Sequence, residues 1–422
     1  MCKYIINGGR KLEGEIEVEG AKNAVLPILA ACLINGKTTV LHNCPNLRDV
    51  NLMFRIMKEL GCRVTIEDEC VIIDSSTMNS FEISQENALE MRSSIIFLGA
   101  VLSRMGEIVI SHPGGCELGP RPVDLHLKAL RMLGAEIYDV NNGLIYAKAK
   151  MLEGCEIQLD YPSVGATENI MIAAVNAIGE TVIRNAAKEP EIVDLQNFLN
   201  EMGAKISGAG TGVIYIKGVG RGKNALHDAE YTIIPDRIVA GTYMTCAAVT
   251  GGDLALKNVV SEHLAPVISA LKESGCVIRN YGDVIRVKGP EKPSSLEIIR
   301  TQPYPGFPTD MQAQLVSVMS IADGTGIMIE TVFESRYKHV DELMKMGANI
   351  KVDGRIAVIR GVQGLKGADV TARDLRGGAA LIVAGLNANG KTIVNDSKHI
   401  ERGYVDIEKK LAGVGADIIK QM

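Results

Sequence analysis

Residues 111–122 read SHPGGCELGPRP, which places Cys116 between a glycine pair and a glycine–proline run, with Arg121 close behind. Cysteine ordinarily packs in cores, so a thiol in a breaker-rich loop asks for a chemical reason. The loop joins a strand-like segment, EIVISH, to a helix-like one, PVDLHLKALRML, where Pro122 suits a first helical turn. A helix N-terminus and a nearby arginine both stabilise a thiolate. Glu117 and Asp124 oppose that effect. Loops rich in glycine and proline also serve as lids that close over substrate.

A second group of residues belongs to anion chemistry. At one fixed offset ahead of a recurring glycine lie Lys22, Arg92, Gly165, Arg237, Asp310 and Arg376. At another, ahead of a second recurring glycine, lie Arg48, Arg121, Pro190, Glu262, Glu334 and Arg402. Seven of these positions are basic and three acidic, in a chain whose formal net charge is −5. All twelve read as helix starts, where the helix dipole disfavours cations. Cations repeated there are best explained by an anion, because a helix start with Arg or Lys binds phosphate or carboxylate.

The elements that must position these groups form a repeat. An Ala- and Ile-rich helix, a glycine stop and a β-rich strand recur, as in AVLPILAACLINGKTTVL and NIMIAAVNAIGETVI. The stops are Gly36, Gly106, Gly179, Gly251, Gly324 and Gly390, spaced by about 70 residues, a period that signals internal repetition. An amphipathic helix ending in Gly-Cys or Gly-Ala, then a strand pair, recurs in parallel. Its glycines are Gly61, Gly134, Gly203, Gly275, Gly347 and Gly415, which fit left-handed helix C-caps. The spacing predicts six βαβαββ repeats. EGEIEVEG is expected to supply the strand before the first helix. The apolar helices are expected to be buried among sheets. The periodicity allows either one ring of six or two clusters of three.

Composition excludes several classes. The 422 residues are 46% hydrophobic and 23% charged, as in ordinary globular proteins. No global basic surface or aromatic platform suggests nucleic acid. No apolar run approaches a membrane span, and the first residues lack a signal-peptide core. Nine cysteines without a C-x-x-C pair fit free thiols in a cytoplasmic protein, with Cys32 and Cys246 in core helices. GLNANGKT, at 385–392, has Walker A spacing, but a helix precedes it and a strand follows, the reverse of a P-loop. GAGTG and GVGRG miss the dinucleotide pattern and read as turns. The seven histidines show no metal-like spacing; His126 either lines the Arg121 site or is a satisfied helical histidine.

Several segments together carry a family resemblance: GAKNAVLPILAA, PGGCELGPRPVDLH, SVGATENIM, KEPEIVDLQNFL, PDRIVAGT, YPGFPTDMQAQ, ETVFESRYKHV, DLRGGAALIVAGL and ERGYVDIEKKL. Nearly end to end, the chain resembles the UDP-N-acetylglucosamine enolpyruvyl transferases. PGGC followed by RPVDLH, and FPTDMQAQ, are specific to that branch, and the sister branch acting on shikimate 3-phosphate lacks the cysteine loop. The resemblance implies an α/β fold of two three-repeat domains, an inside-out α/β barrel with helices buried and sheets outside. Residues 22–230 would form one domain, and 1–21 with 231–422 the other, with the helix starts facing a cleft between them.

The resemblance also implies roles. Lys22, Arg121 and Arg402 would hold phosphoenolpyruvate. Asn23 and Asp310 would contact the sugar, with Asp310 accepting the 3-hydroxyl proton or orienting that hydroxyl. Arg92 and the stretch Arg121, Pro122, Val123, Asp124 and Leu125 would touch the nucleotide-sugar. Ser163, Val164, Gly165 and Val332 would line the uridine side; some family members carry a lysine just before the Ser-Val-Gly run, where this chain has Asp160-Tyr161-Pro162. Asp374 and Arg376 would fix the catalytic cluster. Cys116 would donate a proton to the methylene carbon and be the thiol that fosfomycin alkylates. No metal or organic cofactor, nucleic acid or membrane is implied. The alternatives are a shikimate-type transferase and a catalytically silent UDP-sugar-binding regulator.

Overall fold

The computed structural model describes residues 2–67, 70–114, 123–140, 143–222 and 225–421. Cys116, Arg121 and Pro122 lie outside the described residues. The chain divides into two compact domains: a central one of residues 20–234, and a split one that joins residues 2–19 to 235–421.

Each domain holds three sheets and three apolar helices. In the central domain the helices Lys22–Ala31, Phe97–Met105 and Val164–Val175 are buried along nearly all their length. Arg237–Thr250, Gln312–Ser320 and Leu375–Asn387 play the same part in the split domain and pack on one another. A helix apolar on all faces can satisfy itself only in such an interior. More amphipathic helices, such as Arg48–Glu59 and Lys338–Lys345, bury one face. The sheets turn their alternate residues outward, as in Ile356–Arg360.

The repeat is clearest where Ile298–Arg300 pairs in parallel with Thr325–Ile329, which pairs antiparallel with Ile356–Arg360, itself the hairpin partner of Asn349–Asp353. All twelve marker glycines have positive φ, from 60° at Gly36 to 114° at Gly324. At each of these twelve stops the chain turns through a conformation that costs glycine least. Gly385–Thr392 runs from a helix end into the strand Lys391–Asn395, so its Walker A spacing is coincidental.

One strand assignment is overturned. EGEIEVEG does form a strand, Glu13–Glu17, but it pairs in parallel with Asp253–Lys257 in the fourth repeat. The first repeat instead takes Ala229–Thr232, parallel to Thr38–His42. Lys3–Asn7 completes the sixth repeat's sheet between Lys391–Asn395 and Asp417–Gln421. Each domain therefore takes a strand from sequence remote from the repeat it completes. The second repeat closes with three strands and a single parallel bridge, Glu82 to Val109.

Candidate active site

In the split domain the helix starts build a buried charge cluster. Asp310 lies in the tight turn Thr309–Met311 that leads into Gln312–Ser320. Its Oδ1 accepts from Arg336 Nη2 at 2.8 Å, and its Oδ2 from Arg376 Nε and Nη2 at 3.2 and 3.1 Å. Both guanidinium groups are almost fully buried, whereas the carboxylate is a quarter exposed. Two cations share this one carboxylate, and Asp236 acts on Arg376 as a further counter-charge. Among the described residues, Arg336 Nε and Arg376 Nη1 are buried donors that meet no acceptor. Such an arrangement can hold a further anionic group by charge-assisted hydrogen bonds.

Neighbouring elements hold this cluster. Asp374 caps Leu375–Asn387, accepting from the Arg376 and Gly377 amides at 3.0 and 2.8 Å. The Arg376 guanidinium lies over the Tyr404 ring, whose hydroxyl meets Thr242 Oγ1 at 2.9 Å and Gln314 Nε2 at 3.3 Å. Burial alone would lower the Arg376 pKa, but Tyr404, Asp310 and Asp236 outweigh it and push it up, so the cation is fixed. Glu330, 1% exposed, accepts from Thr301 and Thr309 hydroxyls and from the Val332 and Phe333 amides. It thereby ties the turn that carries Asp310 to the loop that carries Val332. Arg402 ends the turn Ser397–Arg402 and is half-buried.

In the central domain Lys22 Nζ meets Asp49 Oδ2 at 2.8 Å, with both side chains nearly buried. Asn23 follows on the same helix, half-buried. Arg92 opens the turn Arg92–Ile96. Ser163 caps Val164–Val175 by accepting from Ala166 N at 3.3 Å, so Val164 and Gly165 form that helix's first turn. Val123 is buried, Leu125 half-buried and Asp124 exposed at the start of Asp124–Met132. Lys128 pairs on the surface with Asp160 at 2.9 Å.

The cations at helix starts thus have partners that the repeat pattern did not disclose. Lys22 faces Asp49, Arg376 faces Asp310, and Arg48 meets Glu90 at 3.1 Å. A ligand anion is not their only counter-charge. Arg336 lies within the quoted segment ETVFESRYKHV, but it stands outside the glycine-offset register and has no role assigned by spacing. Glu168, His339 and Glu330 were also missed: a lone polar letter in an apolar or mixed stretch carries no signal until its neighbours are known.

Burial lowers the pKa of two histidines, His126 and His339. His126 receives a hydrogen bond from Asn169 Nδ2 at 2.9 Å, and Asn169 Oδ1 accepts from Gly99 N at 2.7 Å. His126 thus has a buried partner on its Nδ1 side, and Arg121, beside which the alternative would place it, lies outside the described residues. Burial, with the Arg92 charge, lowers the His126 pKa to about 4. Burial likewise brings His339 to about 4, against the pull of Asp374. Their unfolded forms bind protons near pH 6.5 and the folded forms only near pH 4, so this stability is full above pH 6.5 and drains as pH falls toward 4. At pH 5 each histidine is expected to have cost about 2 kcal/mol. Glu168, raised well above its usual value by burial and by Glu191 and Glu189, works in the opposite sense as pH rises. Urea unfolding of His126→Asn and the parent at pH 7 and pH 5 checks this. The variant should lose less stability on acidification, and equal losses would refute it.

A sequence profile of EPSP synthase (3-phosphoshikimate 1-carboxyvinyltransferase) matches residues 6–411. The chain belongs to this enolpyruvyl transferase family. Among family members, the UDP-N-acetylglucosamine 1-carboxyvinyltransferase 2 of Caldanaerobacter subterraneus subsp. tengcongensis is 54% identical over 422 residues, covering all of both chains. The UDP-N-acetylglucosamine 1-carboxyvinyltransferase of Halothermothrix orenii is 50% identical over 420 residues, again covering both. The enolpyruvyl transferase NikO from Streptomyces tendae shares the fold at a TM-score of 0.90, with 24% identity over 100% of this chain and 99% of its own. EPSP synthase from Acinetobacter baumannii superposes at 0.76, with 19% identity and full coverage of both chains. In this family the βαβαββ repeats are an enolpyruvyl transferase scaffold. Among the described residues no helix is long and apolar enough to cross a membrane, and no group of His, Cys, Asp and Glu could hold a metal ion.

Proposed function

We propose that this chain transfers the enolpyruvyl group of phosphoenolpyruvate to the 3-hydroxyl of UDP-N-acetylglucosamine, releasing phosphate, in the cytoplasm and at the entry to peptidoglycan precursor synthesis. The observation that carries the reading is the 54% identity, over the whole of both chains, to a protein named for that reaction. The buried cluster of Arg336 and Arg376 on Asp310 supports it, because the reaction needs dense positive charge for a substrate bearing phosphate and carboxylate.

In the proposed course, the sugar hydroxyl oxygen adds to C2 of phosphoenolpyruvate while C3 gains a proton. The tetrahedral intermediate then loses phosphate from C2 and the proton from C3. Cys116 is assigned the proton delivered to C3. Asp310 receives the hydroxyl proton or orients that hydroxyl, held by its two arginines. Lys22, Arg121 and Arg402 neutralise the phosphate as it leaves. Asn23, Arg92, Val123, Asp124 and Leu125 are assigned to the nucleotide-sugar, with Pro122 setting the first turn of their helix. Ser163, Val164, Gly165 and Val332 are assigned to the uridine end. Asp374 and Arg376 steady Asp310. Residues 22–230 and 1–21 with 231–422 are the proposed domain limits.

The test is phosphate release from phosphoenolpyruvate with each of two acceptors. Release should require UDP-N-acetylglucosamine. Release with shikimate 3-phosphate instead would support the activity that the family profile names. Binding of the nucleotide-sugar without any turnover would support a silent regulator. Fosfomycin should add once, at Cys116, with no adduct in Cys116→Ser; mass spectrometry placing the adduct on another cysteine would overturn that assignment.

A further inference from the structure

On the outer face of one sheet of the central domain, three adjacent strands each contribute a reactive side chain. Ala229–Thr232 carries Glu230, Thr38–His42 ends on His42, and Cys70–Asp74 begins with Cys70. Cys70 Sγ lies 3.1 Å from His42 Nδ1, and Glu230 Oε1 lies 2.7 Å from His42 Nε2. The alternation of each strand turns these three outward: Leu41, Val71 and Ala229 are buried, while His42 and Cys70 are partly exposed and Glu230 is exposed. The trio belongs to none of the residues assigned to enolpyruvyl transfer.

The order of the groups decides what they can do. The Glu230 carboxylate only accepts, so Nε2–H donates to it and the Nδ1 lone pair is left facing the thiol. A thiol with a base fixed at hydrogen-bond distance is the activated-nucleophile arrangement. The thiol and the carboxylate stand on opposite nitrogens of the ring, so they cannot close around one metal ion, and no metal-holding group occurs among the described residues. Among the described residues, Cys44 and Cys155 lack this setting. Burial pushes the Cys44 thiol up to about 12. The Cys155 thiol donates to the Met132 carbonyl at 3.4 Å, an oxygen that cannot take its proton, and burial pushes it up. Glu67 stands opposite Cys70 in register. His42 Nδ1 is placed to take the thiol proton as the sulfur attacks.

We propose that Cys70 is a modification site for soft electrophiles and small disulfides, with His42 as its base and Glu230 as the group that orients the base. With a low-molecular-weight disulfide, the thiol proton passes to His42 Nδ1 and Sγ attacks one sulfur. The disulfide bond breaks as the new S–S bond forms, and the departing thiolate takes the proton from His42. One thiol and one disulfide thus become one mixed disulfide and one thiol, with no net oxidant consumed.

The experiment follows iodoacetamide labelling of the native full chain at pH 7 by site-resolved mass spectrometry, with Cys155 as internal reference. Cys70 is expected to label at least about tenfold faster than Cys155. His42→Phe should lower the Cys70 rate about tenfold and leave the Cys155 rate unchanged, which also reports that the variant is folded. Glu230→Gln, at an exposed position, should lower the Cys70 rate by a smaller factor. Glutathione disulfide should place a thiol-reversible adduct on Cys70, and Cys70→Ser should retain parental turnover. A Cys70 rate no greater than that of Cys155, or one unmoved by both His42→Phe and Glu230→Gln, would overturn the proposal.

Discussion

Replacing Asp310 by asparagine is expected to lower phosphate release by about 10²–10⁴-fold, the range that one acid–base group contributes. The geometry makes this substitution severe in two ways. The amide has no charge to offer the buried Arg336 and Arg376 guanidiniums, which stay buried without the counter-charge of Asp310. Breaking a buried ion pair from one side costs about 3–5 kcal/mol, because the partner charge stays desolvated. The amide nitrogen would also aim donors at donors, so at least one of the three hydrogen bonds to Asp310 is lost. Asp310→Glu separates the effects. It keeps the charge but displaces the carboxylate by a methylene, so stability should suffer less, while turnover still falls because positioned groups tolerate little displacement. Steady-state phosphate release and urea unfolding of both variants check this. Turnover of Asp310→Asn within about threefold of the parent would remove Asp310 from the chemistry.

The repeat and its glycines were readable because they are local. A helix stop needs a left-handed residue at one place, and all twelve marked glycines adopt it. Burial of the apolar helices was equally readable from their composition. Strand exchange was not, since Glu13–Glu17 and Ala229–Thr232 each pair in parallel with a strand more than two hundred or nearly two hundred positions away, and parallel pairing writes no partner into either sequence. Asp49 shows the same limit at the site. Beside Arg48 it reads as an ordinary acidic residue in a helix's first turn, the position the dipole favours. Only the packing of two helices turns it into the counter-charge of Lys22. Arg336 was legible as part of a familiar segment, but its role as the second clamp on Asp310 depends on a contact that no spacing encodes.

That pairing leads to the second large effect. Lys22→Met leaves the Asp49 carboxylate, 3% exposed, without its ammonium at 2.8 Å. The central domain is expected to lose about 3–5 kcal/mol, and turnover should collapse if Lys22 meets the phosphate as proposed. A stability loss alone could mimic the second result, so the variant is paired with Lys22→Met/Asp49→Asn. The double substitution removes both charges while keeping the shape of residue 49, and it should recover most of the stability, since the cost comes from the stranded carboxylate rather than from the missing bridge. Turnover should not recover with it, because no neutral pair can meet a phosphate. Amide exchange over Lys22–Ala31 reads the stability and phosphate release reads the chemistry. If both return together in the double variant, Lys22 serves only to hold Asp49, and the cation that meets the phosphate must be sought at Arg121 or Arg402.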